Sequence, residues 1–159
     1  MNRVTLLVAP LLAVGLVAGC QPKSRNVQST QLTAAEQGTT FQPTIGQTQQ
    51  AAYAAQTRYP SNVSARDDLA VTAVVNSQTG QITIRNFTDR LIRTPHLWVN
   101  RRFVARLTDI PAGSHMTVDP KYLYNTGGQN LAGETPRAIQ NLQLETQDNL
   151  INVKGPQFE

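Results

Sequence analysis

The pattern of apolar and polar positions divides the chain into three parts. Residues 4–18 form one apolar run, residues 21–66 are mostly polar with isolated apolar positions, and residues 67–153 alternate between apolar and polar side chains. Alternation with a period of two is typical of β-strands that bury one face. The last part of the chain is therefore predicted to be all-β, whereas the first two parts lack this alternation.

The alternating part predicts about seven short strands separated by turn residues. Residues 77–80 predict the turn of a hairpin, and Pro95 predicts an edge or a bulge in the third strand. Pro120 favours a helical turn through Tyr124, because proline suits the first position of a helix. The predicted strands cover residues 69–76, 81–86, 91–100, 103–107, 115–119, 137–146 and 150–153.

Seven short strands within residues 67–159 fit a single immunoglobulin-like or fibronectin-like β-sandwich domain, and a small open barrel is the alternative. Two runs in this domain resemble a pattern of uncharacterised bacterial Ig-like envelope domains, namely Leu97-Trp98-Val99-Asn100-Arg101-Arg102-Phe103-Val104 and Ile110-Pro111-Ala112-Gly113. The resemblance covers about residues 81–154. It implies an Ig-like fold and brings no function with it.

The polar part, residues 20–66, is predicted to be a disordered linker. Nine of the 46 positions from 21 to 66 are Gln, and no apolar period is sustained, so the segment buries too little surface to offset its ordering entropy. Residues 47–58 contain four alanines and favour a short helix that is marginal on its own. Either this helix has no role, or it docks a partner around Tyr53 and Tyr59.

The apolar run has the features of a secretory signal. It follows Asn2 and Arg3, it is shorter than the roughly 20 residues that a membrane span needs, and it ends in small residues. The run is either an ordinary signal peptide, in which Cys20 has no role, or a short membrane anchor, unless Cys20 is a modified residue. Residues 1–19 are therefore predicted to direct export.

The end of this run, Val17-Ala18-Gly19-Cys20, resembles the lipobox of bacterial lipoproteins. The resemblance implies that a diacylglyceryl thioether forms on Cys20, that a type II signal peptidase cuts before it, and that the new amine is acylated. Two or more acyl chains hold a protein stably at a membrane. Because Gln21 rather than Asp follows the cysteine, the resemblance implies the outer membrane, with the protein facing the periplasm.

The charge balance and the cysteine count limit what the domain binds and what holds it together. The net charge of +4 comes mainly from the linker, because residues 67–159 carry nine basic and nine acidic side chains. This balance argues against a nucleic-acid-binding domain. Cys20 is the single cysteine, so the domain has no disulfide and is held by burial alone.

The most conspicuous chemistry of the domain is a group of six arginines between residues 85 and 106, opposed there by Asp89 alone. Arginine offers carboxylates and phosphates a planar fork of donors, and neighbouring strands would bring these side chains into one patch. Trp98 joins that face if Leu97 and Val99 point inward, which would make a cation–π platform. The candidate partner-binding residues are Arg90, Arg93, Trp98, Arg101, Arg102 and Arg106. The alternative is that the arginines are solvated or paired with later acids and that Trp98 is buried.

Catalytic and metal chemistry is not favoured by the sequence. His96 and His115 are the two histidines, and their spacing matches no zinc motif. The sequence predicts no cofactor, no metal site and no enzyme. Tyr122 and Tyr124 either cover one end of the sandwich or present an aromatic contact, and Asn86-Phe87-Thr88 matches a glycosylation sequon by chance.

These observations predict a non-enzymatic envelope lipoprotein. Its membrane contact is the lipid on Cys20, and its small sandwich binds or scaffolds another envelope component, either a protein or peptidoglycan. A polysaccharide-binding or small-ligand-binding module is the alternative. The fold alone does not choose between them, because sandwiches host many functions.

Overall fold

The structure is a computed structural model that describes residues 38–41 and 46–159. The predicted signal peptide, Cys20 and the first part of the predicted linker lie outside the described residues, so the predictions made for them stay predictions. The described elements are β1 (Thr39–Thr40), α1 (Gln47–Gln56), β2 (Arg66–Val75), β3 (Ile82–Asn86), β4 (His96–Val99), β5 (Phe103–Arg106), β6 (His115–Val118), β7 (Leu142–Glu145) and β8 (Leu150–Phe158). Three single 3-10 turns lie between β6 and β7, over Pro120–Tyr122, Leu131–Gly133 and Pro136–Ala138.

The strands hydrogen-bond in the order β1-β6-β3-β2-β8-β7-β4-β5. β2 is antiparallel to β3 and parallel to β8, and its pairing with β8 shifts register between Asp68 and Thr72 and again before Val74. Such irregularities bend a strand and increase its twist. The sheet therefore has two halves, β1-β6-β3-β2 and β8-β7-β4-β5, which meet at β2 and β8.

The main hydrophobic core contains side chains from both halves of the sheet. Val71 and Ile84 from one half and Leu97 and Leu144 from the other are fully buried in the same cluster. Alternation along each strand provides these inward positions, as the sequence predicts. The described chain is thus mostly β and consistent with a sandwich, but it has eight strands rather than about seven.

Several element boundaries differ from the prediction. The third predicted strand begins at His96 rather than at residue 91, and Ile92 makes only an isolated bridge to Ile110. The strand predicted over 137–146 begins at Leu142, because a 3-10 turn occupies Pro136–Ala138. The helical turn predicted from Pro120 through Tyr124 is shorter, a 3-10 turn over Pro120–Tyr122, with the Asp119 carboxylate accepting from the Lys121 amide.

The predicted disordered linker is wrong for its described part, 38–41 and 46–66. β1 pairs in parallel with β6, and Phe41, 2% exposed, lies in the main core with its ring 6.0 Å from that of Tyr122. Helix α1 buries Ala54 completely. An isolated apolar side chain such as Phe41 shows no period in the sequence, yet the sheet gives it a surface to cover. The folded unit therefore starts well before residue 67.

Docking stabilises α1. Ten residues are few for an isolated helix, and α1 has neither a side-chain N-cap nor charges that complement its dipole. Ala54 instead packs in a second cluster with Trp98, Val104 and Leu150 on the outer face of the sheet. Gln50 is 1% exposed on the same helix, and its Oε1 finds no partner among the described residues. No described helix is long and apolar enough to cross a membrane.

Candidate binding site

The β4–β5 hairpin does not bring the predicted arginines into one patch. Arg101 and Arg102 lie in its turn, whereas Arg106 lies at the far end of β5, opposite His96. Arg106 is four residues beyond Arg102, which corresponds to about 13 Å along a strand. Arg90 and Arg93 precede β4, on the Arg106 side of the hairpin. The arginines therefore form two groups at opposite ends of the hairpin.

The two arginines of the turn have partners within the protein. The Arg101 guanidinium lies 5.7 Å from the centre of the Tyr59 ring. Arg102 pairs with Glu134 at 3.7 Å and donates to Gln129 at 3.1 Å. Arg101 holds this position with a φ of 57°, in the left-handed region that favours glycine.

Trp98 does not form a platform on the surface. It points away from the main core, as the alternation predicts, but α1 and Tyr59 cover it and leave it 2% exposed. The Tyr59 ring meets it edge-on at 5.4 Å, and its indole Nε1 donates to Glu145 Oε2 at 2.7 Å. The predicted cation–π contact with Trp98 is therefore replaced by one between Arg101 and Tyr59.

Glu145 begins a chain of polar contacts that ties α1 to the sheet. Its Oε2 is 3.2 Å from His96 Nδ1, and His96 Nε2 is 2.8 Å from the Tyr53 hydroxyl. In a neutral imidazole the nitrogen beside the carboxylate carries the proton, so Nε2 accepts from Tyr53. Burial raises the pKa of the Tyr53 phenol, which therefore keeps its proton at neutral pH. Both ring nitrogens of His96 thus have hydrogen-bond partners, and these contacts hold α1 against the sheet.

An open cleft of about 730 Å³ lies beside this contact chain. Residues 90–94 form one wall, and residues 145–149 form the other. Its volume is within the range of roughly 300–1,000 Å³ that is common for ligand sites. The structure thus places Arg90 and Arg93, two of the predicted partner-binding residues, on one wall of a cleft.

Charges of both signs line the cleft. Guanidinium groups come from Arg66, Arg90 and Arg93, and carboxylates come from Asp68, Glu145 and Asp148. Thr88, Gln147 and Asn149 add hydroxyl and amide groups. This lining suits a ligand that has both donors and acceptors better than a simple anion.

The wall formed by residues 90–94 is held in a strained shape. Thr94, a β-branched residue, has a φ of 31°, and its amide donates to Asp109 at 2.8 Å. A positive φ is unusual for such a side chain, and strain of this kind concentrates at functional sites. Thr94 therefore supports the choice of the cleft as the candidate site.

No family model matches the chain, and no curated protein or solved structure matches it either.

Asn86 is a residue whose role the sequence did not indicate. Its side chain is fully buried, and Nδ2 donates to the carbonyls of Arg90, Ile110 and Pro111 at 2.8, 3.1 and 3.0 Å. Its Oδ1 accepts from the amide and the hydroxyl of Thr88. The sequence signal was the Asn-x-Thr spacing at the end of a strand, which also favours an Asx turn. Asn86 thus fixes the start of the arginine-bearing wall.

A polar relay crosses the outer face of three strands, and the sequence did not indicate it. The Tyr59 hydroxyl donates to the buried Gln143, Gln143 donates to Asn152, and Asn152 donates to Asp67, each at 2.8 Å. The register pairs Gln143 with Asn152 and Asn152 with Asp67. Tyr59 therefore donates to a Gln143 side chain that Asn152 already holds in place, and this bond keeps the segment after α1 on the sheet.

Two further predictions concern tyrosines and metal ligands. Tyr124 is 8% exposed in the second cluster, and Tyr122 packs partly buried against the main core, so both cover the sandwich.

Among the described residues, no group of three or more His, Cys, Asp and Glu side chains is arranged to hold a metal ion.

Proposed function

We propose that this protein is a non-enzymatic lipoprotein of the bacterial cell envelope whose sandwich binds or scaffolds another envelope component. The observation that carries the proposal is the sequence Val17-Ala18-Gly19-Cys20 at the end of the apolar run. Lipid on Cys20 would place the protein at a membrane, in our proposal the outer membrane, facing the periplasm. The folded unit would then be a module presented at that surface.

We also propose that the sandwich is of the immunoglobulin-like type. The order β6-β3-β2 corresponds to strands E, B and A of such a domain, and β8-β7-β4-β5 corresponds to G, F, C and C′. This correspondence supports the proposal through strand order and direction. It brings no function with it.

The partner is proposed to bind in the cleft between residues 90–94 and residues 145–149. Three observations support this choice: the volume of the cleft, its charges of both signs and the strained Thr94 in its wall. Arg90 and Arg93 are exposed there, in contrast to Trp98. A polypeptide with charged side chains would meet both the guanidinium and the carboxylate groups.

A polysaccharide or small ligand is the second candidate for the same cleft. Its volume of about 730 Å³ suits a ligand of a few sugar units or a short peptide. The hydroxyl and amide groups of Thr88, Gln147 and Asn149 would pair with sugar hydroxyls. The class of molecule captured in the cleft separates the two candidates.

The lipid anchor is tested by metabolic labelling. Cells that express the wild-type protein are expected to incorporate a labelled fatty acid into it, and Cys20→Ser is expected to lose the label completely, because the thioether needs the thiol. Mass spectrometry of the mature N-terminus checks the site of cleavage. Label retained in Cys20→Ser, together with unchanged membrane fractionation, would refute the lipobox interpretation.

The cleft is tested by photocrosslinking in native membranes. A photoreactive residue in place of Gln147, which is exposed in the cleft, is expected to give a discrete adduct, whereas one at Gln78 in the distant β2–β3 turn is not. The double variant Arg90→Gln/Arg93→Gln is expected to reduce the adduct about tenfold, and so is high salt, because exposed charge contacts are screened.

The matched control for this experiment is Arg101→Gln/Arg102→Gln, which removes two arginines from the other end of the hairpin. Equal adduct yields in the two double variants would remove the cleft from the proposal. An adduct that contains carbohydrate instead of protein would favour the second candidate.

A further inference from the structure

Four large apolar side chains are exposed among the described residues, and two of them belong to one loop. Phe87 is 61% exposed and Leu91 is 42% exposed, whereas Val63 and Phe158 are exposed singly elsewhere. Phe87 and Leu91 bound residues 87–91, which connect β3 to the cleft wall and are called the Phe87 loop below. An exposed phenylalanine beside an exposed leucine is a candidate contact surface.

The Phe87 loop presents its apolar side chains from a fixed backbone. The buried Asn86 side chain donates to the Arg90 carbonyl at 2.8 Å, and the Arg90 amide donates to the Thr88 hydroxyl at 3.2 Å. The Phe87 amide donates to Ala70 of β2 at 2.7 Å. The Phe87 ring is therefore held outside the core by hydrogen bonds on both sides of it.

The chain that leads to Cys20 joins the sandwich at the same end as this loop. β1 runs parallel to β6 with Thr39 opposite Met116, and β6 runs antiparallel to β3 with His115 opposite Arg85. A Cβ at position 38 would collide with the His115 ring, so Gly38 lies against that residue. Gly38 is thus level with Arg85, which is two residues before Phe87. Two strand spacings, about 10 Å, separate Gly38 from β3.

We propose that the Phe87 loop contacts the surface of the phospholipid bilayer that carries the Cys20 anchor. Phe87 and Leu91 enter the headgroup region, and the positive charge of the adjoining cleft wall is attracted to headgroup phosphates. This inference rests on the proposed lipid anchor. The bilayer is the occupant we propose, because the described chain begins at this end of the sheet and only residues 21–37 separate it from Cys20.

The chemistry of the loop matches a headgroup region. Phenylalanine and leucine beside basic side chains suit the boundary between headgroups and acyl chains, and guanidinium groups bind phosphates through paired hydrogen bonds. Arg90 and Arg93 are exposed, and Asp89 lies 3.7 Å from the Arg90 side chain. One net positive charge remains in residues 87–93, which suits the phosphates of phospholipids in general.

A weak contact is sufficient because the anchor holds the loop near the membrane. Tethering gives a second interaction an effective concentration on the order of millimolar, so an interaction of low affinity becomes well populated. The contact would also place the mouth of the cleft beside the bilayer, since residues 90 and 91 belong to both the loop and the cleft wall.

The test uses the lipidated full-length protein in vesicles of phosphatidylethanolamine and phosphatidylglycerol. A nitroxide is attached at Asp89→Cys, at the exposed tip of the loop, or at Gln78→Cys in the turn at the opposite end. Collisions with oxygen and with a water-soluble nickel chelate measure immersion at each position. We expect several-fold less access of the chelate at position 89 than at position 78.

The apolar side chains are then removed in matched variants. Phe87→Ser/Leu91→Ser is expected to reduce the contact about tenfold, because it removes most of the apolar surface of the loop, and to return access at position 89 to that at position 78. Phe158→Ser, which removes an exposed phenylalanine from the opposite end, is expected to change nothing. Thermal melts of each variant check that the fold is intact.

Two outcomes overturn the inference, and they are distinguishable from failure of the anchor. Equal access at positions 89 and 78 in the anchored protein would show that the loop faces water or a protein partner. An effect of Phe158→Ser equal to that of the double variant would show a loss unrelated to the loop. If the anchor itself is absent, Cys20 titrates as a second free thiol, which would overturn the proposed function and this inference together.

Discussion

A fragment that begins at residue 67 is expected to lose about 5 kcal/mol or more of unfolding free energy relative to one that begins at residue 38. The longer fragment keeps the buried Phe41, Ala54 and the Tyr59 ring, and a buried large apolar side chain contributes about 1.5–3 kcal/mol. Loss of α1 also exposes Trp98 to water. A small domain has only about 5–15 kcal/mol in total, so the shorter fragment is expected to be mostly unfolded.

Urea denaturation followed by circular dichroism and by Trp98 fluorescence measures this difference. Trp98 is the single tryptophan and lies beneath α1, so its emission reports directly on docking of the helix. The control compares fragment 38–159 with fragment 21–159, which differ only in residues before β1 and are expected to share one midpoint. Equal midpoints for fragments 38–159 and 67–159 would show that the linker segment contributes no stability.

The substitution Asn86→Ala is expected to destabilise the domain by about 2–4 kcal/mol. It removes three hydrogen bonds that Nδ2 donates to the carbonyls of Arg90, Ile110 and Pro111, one of them fully buried. It also removes the two that Oδ1 accepts from Thr88. A typical intramolecular hydrogen bond contributes about 0.5–1.5 kcal/mol net. The loop that carries Phe87 would also lose its fixed shape.

Asn76→Ala provides the matched control for that prediction. Asn76 also accepts from two backbone amides just after it, those of Gln78 and Thr79, but at an exposed turn where water replaces the lost bonds. Its substitution is expected to cost about 1 kcal/mol or less. Chemical denaturation of the two variants measures both costs, and equal values would contradict a special role for the burial of Asn86.

The period-two pattern was sufficient to locate most strands and to decide which way their side chains face. Leu97 and Val99 point into the main core and Trp98 points away from it, as alternation along β4 requires. The turn after Asp119 followed from one proline. These features depend on residues that are close in sequence, where local geometry decides the outcome.

The pattern did not indicate what covers each face, because that depends on segments distant in sequence. Trp98 is buried by Tyr59 and α1, about 40 residues before it, and Phe41 fills a gap beside Tyr122. The arginines were expected in one patch because adjacent strands lie close together, but their positions along the hairpin separate them. The cleft likewise needs two connections that meet only in the folded chain.

Pairing of β1 with β6 also limits how far the sandwich can stand from its proposed membrane. If the whole segment 21–66 were free, it would span about 150 Å when fully extended. Because Thr39 is fixed in the sheet, only the 18 residues between Cys20 and Thr39 remain to set the height, and they bridge about 65 Å when fully extended. Lengthening that segment with a flexible insert would test whether the partner lies within this radius. Binding of a distant partner would increase, whereas binding of a membrane-proximal partner would not.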